Sequence, residues 1–133
     1  MTVGNDRIYN VIKGFRSIYI YIHRKRRMNM SVKKINSPEF AEAIKSGVAV
    51  VDFNATWCGP CRMLGPVLEE LSEEMAGKVS FYAVDVDDNQ DLAMEYGISS
   101  IPYVAVFKDG QKVDEQVGFV PKPAIQGFIE RNL

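Results

Sequence analysis

Two sulfurs offer this chain its most specific chemistry. Cys58 and Cys61 are its only cysteines, and they stand three positions apart in Trp57-Cys58-Gly59-Pro60-Cys61. A pair at this spacing can anchor a haem, supply half of a zinc site, form a structural bridge or exchange disulfides. Haem attachment needs a histidine directly after the second cysteine, and Arg62 stands there. Zinc needs two more ligands, and the one histidine, His23, lies far upstream. A structural bridge gains little here, because its entropic benefit grows with loop length. Thiol–disulfide exchange is the reading that uses the pair as it stands, and no metal is expected.

The flanking residues position the sulfurs for that task. Val48–Phe53 (VAVVDF) is almost continuously apolar and β-branched, the pattern of a strand covered on both faces. After it, Leu64, Val67, Leu68 and Leu71 recur at helical spacing, which predicts a long helix from Pro60 to Met75. Pro66 interrupts that helix. Cys58 then falls at the helix N-terminus, where unpaired N–H groups and the helix dipole favour an anion. A thiolate is stabilised there and becomes a usable nucleophile. Cys61 lies within the first turn, and Gly59 and Pro60 keep the spacer compact. Cys58 is therefore assigned the attack and Cys61 the resolution of the mixed disulfide. Asp52 sits inside the apolar strand, where a carboxylate is costly unless neutral or paired.

The remaining elements follow from the same signals. Ser31–Ile35 reads as a short strand. Ser37, taken as N-cap, and Pro38 open a helix whose apolar face is Phe40, Ala43 and Ile44, and Gly47 stops it. Lys78–Val84 is a strand and Asp88–Tyr96 a short helix ended by Gly97. Tyr103–Phe107 and Lys112–Val117 form a hairpin around Asp109-Gly110. Pro121–Asn132 is a last helix with Ile125, Phe128 and Ile129 facing inward. The order predicts an α/β fold with one central mixed sheet, parallel in its crossovers and antiparallel at its terminal hairpin, flanked by helices on both faces.

With these elements placed, the chain resembles the thioredoxin family over residues 31–133. The match is carried by Val51-Asp52-Phe53, Ala55, Trp57-Cys58-Gly59-Pro60-Cys61, Tyr96-Gly97-Ile98, Ile101-Pro102, Phe107, Gly110 and Val117-Gly118. The resemblance implies a thioredoxin fold and a protein disulfide reductase that cycles between dithiol and disulfide as a redox carrier. Its implied partners are disulfide-containing target proteins and a separate thioredoxin reductase. It implies a cis bond before Pro102, whereas most X-Pro bonds are trans. It also implies a substrate groove of Trp57, Gly59, Pro60, Ile101, Pro102 and Gly118, and proton transfer by Asp52 to or from Cys61. Two positions depart from the family pattern. Asn54 stands where a large aromatic is usual, and Ala83 where many members place a lysine near the buried aspartate. Two other functions stay open: a disulfide oxidase or isomerase, and a binding module in which the cysteines are incidental.

Residues 1–30 do not belong to this pattern. They hold seven Lys/Arg and one acid, Asp6, a local charge of +6, while residues 31–133 hold nine Lys/Arg and sixteen acids, −7. Such asymmetry reads as a basic tail joined to a domain at residue 31. Ile8, Val11, Ile12, Phe15, Tyr19 and Ile22 fall on one helical face. Three readings remain for the tail: translation starting at Met28 or Met30, an unstructured extension, or membrane contact or targeting. It lacks the order of a secretory signal, since the Arg24–Arg27 cluster follows the short apolar stretch. No apolar run approaches the length of a bilayer span. The net charge of −1 gives no ground for nucleic-acid binding. No glycine-rich dinucleotide fingerprint occurs, so no cofactor is expected. The expectation is a cytoplasmic monomer.

Overall fold

The computed structural model describes residues 31–133. The basic segment 1–30 and the helical stripe assigned to it lie outside the described residues. Nine elements follow in order: β1 (Val32–Lys34), α1 (Ser37–Ile44), β2 (Val48–Asn54), α2 (Gly59–Glu74), β3 (Ser80–Asp85), α3 (Gln90–Glu95), β4 (Tyr103–Lys108), β5 (Gln111–Val117) and α4 (Lys122–Glu130). The strands form one sheet in the order β1-β3-β2-β4-β5. β3 runs parallel to β1 and β2, while β4 is antiparallel to both β2 and β5. This is the expected mixed sheet.

Alternation along β2 divides the core into two layers. Val50 faces one side with Val104 and Val106, under Leu64, Leu68 and Leu71 of α2 and Ile125, Phe128 and Ile129 of α4. Ala49, Val51 and Phe53 face the other, with Phe40 and Ile44 of α1, Leu92 of α3, and Phe107. Helices thus cover both faces, which explains why β2 carries almost no polar residue. Aromatic edges meet on the second side: Phe107 makes T-shaped contacts with Phe40 at 5.5 Å and Tyr96 at 5.4 Å between centroids.

Several boundaries differ from the sequence reading, each for a local reason. The N-cap of α1 is Asn36, not Ser37. Asn36 Oδ1 accepts from the Glu39 backbone N–H at 3.2 Å, and Glu39 returns a bond to the Asn36 N–H at 2.9 Å. This reciprocal box satisfies two orphan donors and leaves Ser37 as the first helical residue. The short helix begins at Gln90 rather than Asp88, because Asp85 Oδ1 accepts from the backbone N–H of Asp87 and Asp88 and holds them in a turn. α4 ends at Glu130, shorter than expected. At the hairpin, Asp109 and Gly110 have φ of 49° and 90°, the left-handed pair that a tight two-residue turn requires. Asp109 also exchanges hydrogen bonds with Gly47, which seats the hairpin on the α1–β2 loop.

Candidate functional site

The site gathers where β2 ends and α2 begins. Cys58 is the N-cap of α2, one residue before the helix starts at Gly59. Its backbone is extended, with φ −90° and ψ 114°, so its side chain turns back over the first turn. There Cys58 Sγ accepts a hydrogen bond from the Cys61 backbone N–H at 3.2 Å. No acidic residue occupies the first turn of α2. Cys58 and Cys61 are joined as a disulfide, with Cα atoms 5.3 Å apart.

Accessibility does not separate the two sulfurs. Cys58 is 4% exposed and Cys61 6%. Their environments differ in another way: the helix directs an N–H at Cys58. A donor aimed at Sγ stabilises the thiolate relative to the thiol, and the unpaired helix N-terminus adds to this. Around the pair lies a small apolar cluster with Ala55, against which Val86 and Ile101 pack. Upstream, the Arg62 guanidinium donates to the Thr56 carbonyl at 3.2 Å and ties the loop to the helix.

Pro102 is preceded by a cis bond from Ile101, as the resemblance implied. The Pro102 carbonyl accepts from the Gly118 N–H at 2.8 Å, so these two sequence-distant positions share one edge of the fold. Gly118 has φ 89°, a conformation that disfavours any side chain, and a Cβ there would meet no atom within 4 Å. The space above it is open. Trp57 is 67% exposed, which excludes a core role, and its Nε1–H donates to Asp87 at 2.8 Å.

Asp52 lies near the end of β2, on the α2 side of the sheet by its alternation with Val50. It is 4% exposed. Its register neighbours are Ala83 on β3 and Val104 on β4, neither of which brings charge. Burial pushes the carboxyl up from the usual 3.8 to about 6, and the only opposing influence is a hydrogen bond from Asn54. Asn54 Nδ2 donates to Asp52 Oδ2 at 3.1 Å. Oδ1 makes no hydrogen bond to any described residue.

Two contributors escape a reading of the sequence. Asn54 stands out there only as a lost aromatic, although its position two residues from Asp52 on a strand puts both side chains on one face. Asp87, the partner of Trp57, is thirty residues away and carries no local signal. Among the described residues, no group of three or more His, Cys, Asp or Glu side chains is placed to hold a metal ion.

Comparison with known proteins bears on this geometry. Residues 31–131 match the family model described as thioredoxin. Proteins named thioredoxin from Staphylococcus aureus strains Mu50, MW2 and N315 are each 46% identical to the chain over 104 residues. The alignment covers 78% of this chain and the whole length of each relative.

Proposed function

The chain belongs to the thioredoxin family, and from that premise we propose how its residues divide the work of disulfide exchange. Membership makes it a dithiol–disulfide redox protein, with disulfide-containing target proteins and a reductase as partners in general. In the reduced protein, the Cys58 thiolate attacks one sulfur of a target disulfide. The other target sulfur leaves as a thiolate, and Cys58 stays joined to the target. Cys61 then gives its proton to the Asp52 carboxylate and attacks Cys58 Sγ. The mixed disulfide breaks, the second target sulfur departs with the bonding pair, and both target thiolates take up protons. Two electrons have passed to the target, and the Cys58–Cys61 disulfide remains for a separate thioredoxin reductase to reduce.

The observation that carries this assignment is the Cys61 N–H directed at Cys58 Sγ from the first turn of α2. It favours negative charge on Cys58 and gives Cys61 no equivalent help. Trp57, Gly59, Pro60, Ile101, Pro102 and Gly118 form the face that receives the target. Ile101 packing on the sulfur cluster, the Gly118–Pro102 bond and the open space over Gly118 support that reading. An extended target segment can pair with backbone groups of such a face. The test is turnover of a disulfide-bonded protein substrate with dithiothreitol as electron source. Cys58→Ser should abolish it, and a variant that kept the wild-type rate would overturn the assignment.

The same reading treats residues 31–133 as a self-sufficient domain and residues 1–30 as a separate basic segment. Every residue placed in the exchange chemistry falls within 31–133. Deleting residues 1–30 is therefore expected to leave reductase turnover in solution and the melting temperature close to unchanged. A large fall in either, measured side by side with the full chain, would show that the segment is needed by the domain. We further propose a monomer acting in the cytoplasm. Among the described residues, no helix is long and apolar enough to cross a membrane.

A further inference from the structure

We propose that Asn54 is a positioning residue for proton transfer: its amide holds Asp52 by Oδ2 and so assigns the exchanging proton to Oδ1. This rests on Asp52 being the group that takes the proton of Cys61. The geometry is on the strand itself. Residues 52 and 54 of β2 share a face, and Asn54 Nδ2 donates to Asp52 Oδ2 at 3.1 Å. The other oxygen, Oδ1, is buried and bonded to no described residue.

An amide N–H can only donate. The oxygen it faces must therefore act as acceptor in both protonation states of the carboxyl. In a neutral carboxyl the carbonyl oxygen is the better acceptor, so the Asn54 bond selects the form protonated on Oδ1. When the carboxyl ionises, the same bond favours the charge. Without it, burial would act on Asp52 unopposed.

Every element packed around Asp52 bears on this. β3 places Ala83 level with Asp52, and Asp85 level with Asn54. Asp85 Oδ1 is engaged by the backbone N–H of Asp87 and Asp88. β4 places Val104 at this level, and the buried titratable side chain in the first turn of α2 is Cys61. A lysine at position 83 would supply a cation in its place, but alanine stands there. Asn54 does by a neutral dipole part of what such a charge would do.

The test uses the full chain in its disulfide form, where neither thiol titrates. The Asp52 carboxyl carbon is followed by NMR across pH in wild type, Asn54→Leu and Asn54→Asp, with Asn54→Ala in reserve should the leucine fold poorly. Removing the donor should raise the Asp52 midpoint above about 6 by about one pH unit, the scale of a hydrogen bond to a charged group. Asn54→Asp replaces the donor with a like charge and should raise it further. In the reduced proteins, the pH midpoint of the resolution rate should move in parallel. An unmoved or lowered carboxyl midpoint in Asn54→Leu overturns the role of Asn54, lowering being the mark of an amide that accepts instead of donating. A raised carboxyl midpoint with an unmoved rate profile overturns proton transfer by Asp52, and with it the kinetic part of this proposal.

Discussion

Cys61→Ser is expected to accumulate target proteins as stable mixed disulfides on Cys58, and Cys58→Ser to accumulate none. The attack survives in the first variant because everything that favours a Cys58 thiolate is backbone. The N-cap position and the residue-61 N–H that reaches Sγ at 3.2 Å do not depend on the side chain at 61. Resolution is lost, because serine cannot form the second disulfide. Release of the target then depends on an external thiol, without the advantage of a nucleophile fixed three residues away. Intramolecular reactions in good geometry gain large effective concentrations, so release should slow on the order of 10³-fold. In Cys58→Ser the remaining sulfur has no helix N–H directed at it. The near-equal burial of the two sulfurs makes the experiment informative, since access alone predicts equal trapping. Non-reducing electrophoresis of each variant after exposure to a disulfide-bonded substrate reads the result. Equal trapping by both variants would cancel the division of roles.

The second large effect concerns Asp52→Asn. Wild-type Asp52 titrates near 6 in the folded chain because burial disfavours its charge, against the usual 3.8 when unfolded. Below the unfolded value both states hold the proton, and the group contributes no pH dependence. As pH rises from about 4 to 6, the unfolded chain ionises first and wild type loses stability. The loss is about 1.4 kcal/mol per pH unit across that window and levels off above the folded value, for a total of about 3 kcal/mol. Asparagine does not ionise, so the variant escapes this loss. Its buried amide brings a fixed offset, since its own N–H donors need partners. The sharp expectation is thus the slope: variant minus wild-type stability should grow by about 2.4 kcal/mol between pH 4 and 7. Resolution of mixed disulfides should slow in the same variant if Asp52 is the base for Cys61, as proposed above. Denaturant melts across pH, with single-turnover kinetics, measure both. A pH-independent stability difference with unchanged kinetics would mark Asp52 as an ordinary buried carboxylate.

The parts of this protein legible in its sequence are those whose physics is local. The two sulfurs, their helix and the strand before them lie within a single run of residues, so their spacing already fixes an N-terminal sulfur and a second one a turn away. The apolar continuity of VAVVDF announced that both sheet faces are covered. The Asp109-Gly110 turn was legible because few residue pairs accept two left-handed conformations in succession. What stayed hidden depends on elements that meet only after folding. Trp57 finds Asp87 across a crossover connection, and Gly118 finds Pro102 across the β4–β5 hairpin. The competition between Asn36 and Ser37 for the first cap was decided by Glu39, which suits only the register with Asn36 in front. Asn54 is the instructive case. Strand periodicity places it beside Asp52, but its role as donor depends on Asp52 being left without a charged neighbour by Ala83 and Val104.

The place of β2 in the sheet has a consequence for how the molecule moves. It is the middle strand, held on one side by β3 and on the other by β4, with edge strands beyond each. Fraying begins at edges, where the ladder is bonded on one side only, so β1 and β5 can open without disturbing their inner neighbours. Asp52 and the helix end that bears Cys58 hang from the strand that can be released only when the whole sheet comes apart. Exchange of electrons with a target therefore runs on a platform as rigid as the domain itself. The Trp57 loop and the segment after β5 lie outside the ladder, and the loop is held instead by side-chain bonds, from Trp57 to Asp87 and from Arg62 to Thr56.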